Sequence, residues 1–544
     1  MTDIEQKLID ANLVAPADLD WARDVARRTS KPLTEVLLEQ RLANEQGLLQ
    51  VLAEHHGMEL VDLRETAVDP AAVRAVPSKL AAHYRIMPVR LDGGTLTIAV
   101  SKVGDVASVE DIETNLGFRV DRVLARPSDI DEALSKFYGV GAETVERILA
   151  EAPAAANVVT IDESVDLEKM AEDASVVRLV NQLLHEAIQV RATDLHIEIG
   201  RDNVRVRRRI DGILFETRLP PNIRLLYPAI VSRVKLMSGL NIVERRLPQD
   251  GRARVRIGND DYDLRVSVVP SMHGEDIVAR ILPARMLFDL EQLGFHEGHL
   301  EALKELIASP HGILFVTGPT GSGKSTTLYA CLNRLNTPDR KIITIEDPVE
   351  YELGGTMQTQ TNPQIGLTFA RALRSMLRHD PDIMMVGEVR DGETAEIAIQ
   401  TAMTGHLVLS TLHTNDAAAG AVRLVDMGVD PYLITSTVLA FMAQRLVRVV
   451  CPDCKEHYQR DGQTLARGRG CRQCNGSGYR GRVAICEMLP LKPEIQRRIL
   501  SRDPAETIRE HANRMGLATL AEDGWRKVAE GTTTAEEVLR VTRL

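Results

Sequence analysis

Aromatic residues are scarce: two Trp, nine Tyr and eight Phe make up 3% of the 544 residues. Cores must therefore be filled by Ala, Leu, Ile, Val and the 16 Met. A basic excess is also missing. The net charge of -11 and pI near 5.8 exclude a chain-wide nucleic-acid footprint and leave room only for a local patch. No stretch reaches the roughly 18 unbroken apolar residues of a membrane helix. The nearest, Val438–Ala443, is short and follows Thr435, Ser436 and Thr437. The first residues, Met1 to Gln6, lack the basic-then-apolar order of a signal peptide. A cytosolic chain is expected, and its six cysteines are not expected to pair as disulfides.

Apolar residues at 44% and charged residues at 26% give an ordinary globular balance, neither collagen-like nor wholly disordered. At roughly 100–200 residues per domain, the length suggests about three domains. Residues 1–56 alternate apolar and polar positions at helical spacing, with a weak repeat: Leu8 to Leu13, then Leu19, aligns with Leu37 to Leu42, then Leu48. Each copy reads as a helix, a short turn and a second helix. Ile86–Arg90 and Leu96–Val100 flank Asp92-Gly93-Gly94, a hairpin signal, and helical patterns follow at Ser108–Leu116 and Ser128–Phe137. Ala152-Pro153-Ala154-Ala155-Ala156, among many acidic residues, marks a linker.

From Asp173 a helix leads into strands around Asp194–Glu198 and Val204–Ile210, then into a hairpin of Ala253–Ile257 and Tyr262–Val268. Apolar strands at Ile313–Val316, Ile342–Ile345, Ile383–Val386 and Leu407–Ser410 alternate with helical stretches, the order of a mainly parallel sheet covered by helices. The expected division is 1–140 docking region, 141–168 linker, 169–289 strand-rich domain and 290–544 catalytic domain.

Gly318-Pro319-Thr320-Gly321-Ser322-Gly323-Lys324-Ser325-Thr326 fits G-x-x-x-x-G-K-[ST] between a strand and a helical stretch, the context this motif requires. Glycines let backbone N–H groups close on phosphate oxygens, Lys324 neutralises charge on the terminal phosphates, and Ser325 can hold Mg²⁺. ATP hydrolysis also needs a metal-holding carboxylate and a group that positions water. Glu346 and Glu388 end apolar strands, where parallel sheets place their ligands, although Gly387 separates the second from its strand.

Arg205, Arg207 and Arg209 alternate along one strand and so project from one face. Cys451-Pro452-Asp453-Cys454 and Cys471-Arg472-Gln473-Cys474 are paired C-x₂-C knuckles across 16 intervening residues, 455–470. Four thiolates at that spacing fit a closed, structural tetrahedral zinc site. Cys331 and Cys486 read as packed thiols. The glycine-rich run from Asn475 to Arg482 lacks a lysine and a strand-to-helix context, so it reads as turns.

The segments Thr344–Tyr351, Leu377–Asp382, Val386–Asp391 and Thr404–Asp416 together resemble the Asp box, Walker B and His box regions of type II secretion and type IV pilus assembly ATPases. The resemblance spans about residues 170–490, with a looser match over 1–140. It implies a RecA-like P-loop ATPase core carrying a tetracysteine zinc insert at 447–486. A PAS-like α+β domain would precede the core, and a helical plus α+β N-terminal domain would precede that.

By the same resemblance, Glu346 would be the general base or orient water, and Glu388 would hold Mg²⁺. His413, with His406, would position the γ-phosphate. Arg207 or Arg209, with Arg233 as a further candidate, would be arginine fingers supplied across a subunit interface. Arg374 and Arg378 are further candidates for contacts to nucleotide or a neighbour. Arg208 stands where the family usually has an apolar or aromatic residue.

The implied function is a hexameric, Mg²⁺-dependent ATPase motor for pseudopilus or pilus assembly. It would act beside the inner membrane through a platform protein and a membrane-anchored cytoplasmic adaptor, with no nucleic-acid partner. The cysteine pairs favour assembly over retraction, since retraction ATPases lack them. The alternative is a nucleotide-dependent regulatory switch that binds a partner or cyclic di-GMP through the N-terminal region. Some family members bind that messenger through Arg-Leu-Gly-containing helical repeats, and Lys31-Pro32-Leu33 departs from that start.

Overall fold

The computed structural model describes residues 3–542 except 12, 30, 41, 104–105, 140, 143, 146–172, 221, 284–288 and 461. Most of the expected linker lies outside the described residues. The chain divides into two compact units, Met1–Leu282 and Pro283–Leu544.

The first unit begins with helices Asp3–Asp10, Pro16–Thr29, Leu33–Glu39 and Glu45–His56, as the repeated pattern predicts. Leu8, Leu19, Val36, Leu37 and Leu48 bury one face of each against the others. An α+β layer follows: β1 (Met87–Asp92), β2 (Thr95–Val100) and β3 (Arg119–Leu124). β1 and β2 pair antiparallel, and β2 and β3 run parallel. The turn between β1 and β2 holds Gly93 and Gly94 at φ of 54° and 92°, which is why two glycines sit there.

Next comes the helix Ala174–Gln189, whose Asp173 side chain caps Ser175 N. It lies with helix Ile223–Met237 over six strands: β4 (Asp194–Ile199), β5 (Val204–Ile210), β6 (Ile213–Thr217), β7 (Gln249–Ile257), β8 (Asp260–Ser271) and β9 (Gly274–Pro283). Their order is β6-β5-β4-β9-β8-β7. Alternation along β5 decides the arginines. Arg207 and Arg209 pair across from His196 and Asp194, while Arg208 turns to the other face and meets Glu186 Oε2 of the helix at 3.4 Å. The departure at Arg208 is thus met by a charged partner under the sheet, and burial lowers the guanidinium pKa.

The second unit is a seven-stranded sheet ordered β12-β11-β13-β14-β10-β15-β18. Its strands are β10 (Gly312–Thr317), β11 (Ile342–Glu346), β12 (Thr356–Gln360), β13 (Ile383–Val386), β14 (Leu407–Leu412), β15 (Val438–Val450) and β18 (Tyr479–Pro490). Between β15 and β18 lies a separate hairpin, β16 (Lys455–Arg460) with β17 (Gln463–Gly468). The first six strands of the sheet are parallel to their neighbours, and β18 closes the edge antiparallel to β15.

Strands β10, β11, β13 and β14 are buried along their whole length, so they read as continuous apolar runs instead of alternating ones. Val438–Ala443, the most apolar stretch, is the buried start of β15 and not a membrane segment. No helix among the described residues is long and apolar enough to cross a membrane.

Candidate functional site

The order β11-β13-β14-β10 brings the C-terminal ends of four parallel strands side by side. Glu346 ends β11, Glu388 follows β13 after one intervening residue, His413 follows β14, and the glycine loop follows β10. Ligands of open parallel sheets bind along this edge. His406 is different. It precedes β14, and its carbonyl accepts from Gly312 N at 3.1 Å, at the start of β10. Six residues of strand, roughly 20 Å, separate that edge from the loop. His406 instead makes local contacts to Thr401 O (3.0 Å) and Thr404 Oγ1 (3.1 Å), which corrects its expected pairing with His413 at phosphate.

The glycine loop runs from Gly318 to the helix Lys324–Leu335. Gly318, Gly321 and Gly323 have φ of 151°, 80° and 88°, and a Cβ at Gly318 would lie 2.6 Å from Gln444 O and Ser322 Oγ. Lys324 Nζ curls back over the loop, donating to Gly318 O (2.7 Å) and Pro319 O (3.1 Å). Its pKa falls to about 8, chiefly through burial, with Glu388 pulling it upward and Arg445 pushing it further down. A loop of backbone donors ahead of a helix, with a half-desolvated ammonium inside it, is built for an anionic ligand.

Glu346 is buried, and three donors hold its carboxylate. Thr344 Oγ1 (2.6 Å) and Gln358 Nε2 (3.2 Å) reach Oε1, and Tyr329 OH (2.5 Å) reaches Oε2. Glu388 meets His413 Nε2 at 3.2 Å and Arg390 Nη2 at 2.5 Å. The intervening Gly387 has a reason. Its N–H donates to Ile345 O at 2.8 Å, and a Cβ there would press within 3.2 Å of that same oxygen. Glycine therefore lets the chain of β13 pass close to the end of β11 before the acid turns out.

Sequence reasoning missed the support of this loop. Gln444, buried in β15, accepts from Thr327 Oγ1 (2.8 Å) and donates to Ser322 O (2.9 Å). Beside it the buried Arg445 donates to Gln444 O (3.0 Å) and Asn415 O (2.8 Å). The signal was present: a glutamine and an arginine interrupt an otherwise apolar strand. Tyr329 gave no such signal, because a tyrosine on an apolar helix face reads as core.

Arg207, Arg209 and Arg233 belong to the first unit, whereas the loop, Glu346, Glu388 and His413 belong to the second. Arg207 pairs with Glu198 at 2.5 Å, and Arg209 lies 3.6 Å from Asp194 and donates to Gly212 O at 3.1 Å. Arg233 Nε is buried and makes no hydrogen bond in the structure. Arg374 is exposed and pairs with Glu393, and Arg378 donates to Arg374 O.

The four knuckle cysteines converge, all four sulfurs within 4.8 Å of one another. Cys451–Cys471, Cys471–Cys474 and Cys454–Cys474 lie 3.7, 3.7 and 3.9 Å apart. Four sulfurs about 2.3 Å from one tetrahedral zinc stand roughly 3.8 Å apart. The set fits that ion. Burial raises the Cys474 thiol pKa, but N–H groups of Cys471 (3.1 Å) and Gly478 (3.3 Å) aim at its sulfur, and the net result is about 7.

The strand-end constellation and its phosphate loop define a P-loop ATPase. Residues 169–540 match the model of the type II/IV secretion system protein family, and residues 56–144 match the MshEN domain. The chain belongs to the type II/IV secretion system family and is an ATPase of that class.

It is 39% identical to the type IV pilus assembly ATPase PilB of Myxococcus xanthus, covering 98% of this chain and 97% of that one. It is 41% identical to type II secretion system protein E of Xanthomonas campestris pv. campestris, covering 99% and 98%. The crystal structure of the Legionella pneumophila ATPase DotB superposes with a TM-score of 0.51 at 25% identity, covering 67% of this chain and 95% of that one.

Proposed function

We propose that the protein is a homohexameric motor that hydrolyses Mg·ATP to drive assembly of pilin-like subunits in type II secretion or type IV pilus biogenesis. The carrying observation is the alignment of four different catalytic-type groups along the C-terminal ends of adjacent parallel strands in one sheet. Residues 318–326 hold the triphosphate, with Lys324 on its terminal charge and Ser325 on Mg²⁺. Glu388 holds the same ion, partly through water. Glu346 orients the attacking water, with Tyr329, Thr344 and Gln358 fixing which way its carboxylate faces. His413 bridges Glu388 and the γ-phosphate. Arg207, Arg209 and Arg233 reach nucleotide held by a neighbouring subunit, which makes hydrolysis depend on assembly.

Cys451, Cys454, Cys471 and Cys474 hold Zn²⁺ as a structural tie, without an open position for substrate. The working divisions are 1–140, 141–168, 169–289 and 290–544. The motor works at the cytoplasmic side of the inner membrane, held there by a platform protein and a membrane-anchored adaptor. The test is whether the purified protein forms rings whose ATPase activity collapses in Lys324→Ala and in Glu346→Gln. Activity retained in both variants sinks the reading.

A second reading, regulation through the N-terminal region, is supported by that region's own apolar cores and its separate domain match. Equilibrium binding of labelled cyclic di-GMP to the full chain tests it, and absence of saturable binding leaves partner docking as that region's role.

A further inference from the structure

Away from the phosphate loop and the four-cysteine cluster, three potential metal ligands from distant parts of the second unit meet. His299 is the third residue of the helix Glu297–Ile307, Cys486 lies in β18, and Asp523 is the fourth residue of the helix Leu520–Ala529. One ligand atom of each lies within 4.8 Å of the other two. His299 Nδ1 is 3.2 Å from Cys486 Sγ and 3.7 Å from Asp523 Oδ1. Around a tetrahedral zinc, nitrogen and sulfur ligands stand about 3.5 Å apart and nitrogen and oxygen about 3.4 Å.

The carboxylate supplies an independent observation. Asp523 is fully buried, and its Oδ2 accepts from Cys486 N at 2.9 Å. Its Oδ1, facing His299, accepts no hydrogen bond. Arg526 Nη1 approaches that oxygen only to 3.9 Å, and Lys527 spends its ammonium on Gly294 O. A buried carboxylate oxygen without a donor is costly, and coordination is one of the ways proteins satisfy it.

We propose that His299, Cys486 and Asp523 form a second zinc-type site, distinct from the four-cysteine cluster. A thiolate and a carboxylate cancel the charge of a divalent ion, and imidazole and thiolate together favour zinc over magnesium or calcium. Three protein ligands leave the fourth position to water. The site ties the helix that leads into β10 to the edge strand β18 and to a C-terminal helix, three elements far apart in sequence.

The test counts metal in the full-length protein after equilibration with buffered free Zn²⁺. Two zinc ions per chain are expected in the wild type, and one each in Cys486→Ala, His299→Gln and Cys454→Ser. One ion in the wild type, or two retained in both Cys486→Ala and His299→Gln, overturns the proposal and makes the trio a hydrogen-bonded core contact. If Cys486→Ala does not fold, the partly exposed His299→Gln carries the count. Cobalt(II) gives a second readout. The wild-type-minus-His299→Gln difference spectrum should show visible d–d absorption with the charge-transfer band of one thiolate, and a flat difference refutes the site.

Discussion

Lys324 gives the protein a measurable proton linkage. Its ammonium is buried under the loop it serves, and its pKa falls from 10.5 to about 8. At 1.36 kcal/mol per unit, the nucleotide-free protein carries a cost of roughly 3 kcal/mol for keeping that charge. The sign follows from which state binds more protons. Between pH 8 and about 10.4 the unfolded chain is the more protonated, so the penalty is fully present below pH 8 and fades as pH rises through that window.

A triphosphate beside the ammonium restores the charged form, so binding above pH 8 takes up a proton. With the bound amine held above pH 10, the dissociation constant scales as 1 + 10^(pH − 8) and affinity as its reciprocal. It should weaken about twofold by pH 8 and roughly tenfold by pH 9 relative to pH 7. Phosphate oxygens are already ionised over this range. Calorimetric titration of a non-hydrolysable ATP analogue in two buffers of different ionisation enthalpy reads the uptake directly. It should be about 0.1 proton at pH 7, 0.5 at pH 8 and 0.9 at pH 9. Uptake below about 0.2 at pH 9, with affinity unchanged from pH 7, refutes the assignment of a depressed amine to this loop.

Gln444→Leu keeps the volume of a buried side chain but strips Ser322 O and Thr327 Oγ1 of their partner. At roughly 1–3 kcal/mol per orphaned group, nucleotide affinity should fall at least tenfold while the sheet survives, as far-ultraviolet circular dichroism and equilibrium binding would show. Tyr329→Phe removes the donor to Glu346 Oε2, and kcat should drop about tenfold or more with KM little changed. An unchanged kcat would show that the tyrosine does not orient the glutamate. Cys454→Ser should lower the thermal midpoint of the second unit, and a colorimetric chelator should read one zinc fewer on its unfolding than on that of the wild type.

Much of this site was legible in sequence because each of its parts sits at the end of a continuous apolar run. Ile342–Ile345, Ile383–Val386 and Leu407–Ser410 are buried on both faces, so composition alone marks them, and the polar residue that ends each run marks the ligand edge. β12 was not legible because Thr356–Gln360 is a half-exposed strand of polar residues. His406 misled because two histidines seven residues apart share one motif, yet a six-residue strand between them carries them to opposite edges of the sheet. Gln444 announced itself as a polar break in an apolar strand, but its partner Thr327 did not, and Asp523 gave no sign of Cys486: partners this far away in the chain are encoded by no local pattern.

The place of the cysteines follows from the same sheet. β18 is its edge, twelve residues long, and edge strands slip or pair outward unless something fixes them. A slip of one residue against β15 would reverse which face each side chain occupies. Along that ladder Cys486 stands opposite Gln444, the residue that holds Ser322 and Thr327. Cys451 directly follows β15, its N–H donates to Gly478 O, and Cys474 lies just before β18. A metal at the four cysteines would therefore pin the far ends of the two strands whose register positions the clamp on the phosphate loop. Losing that tie should appear first as weaker nucleotide binding and only then as unfolding, an order that distinguishes a register lock from a merely local staple.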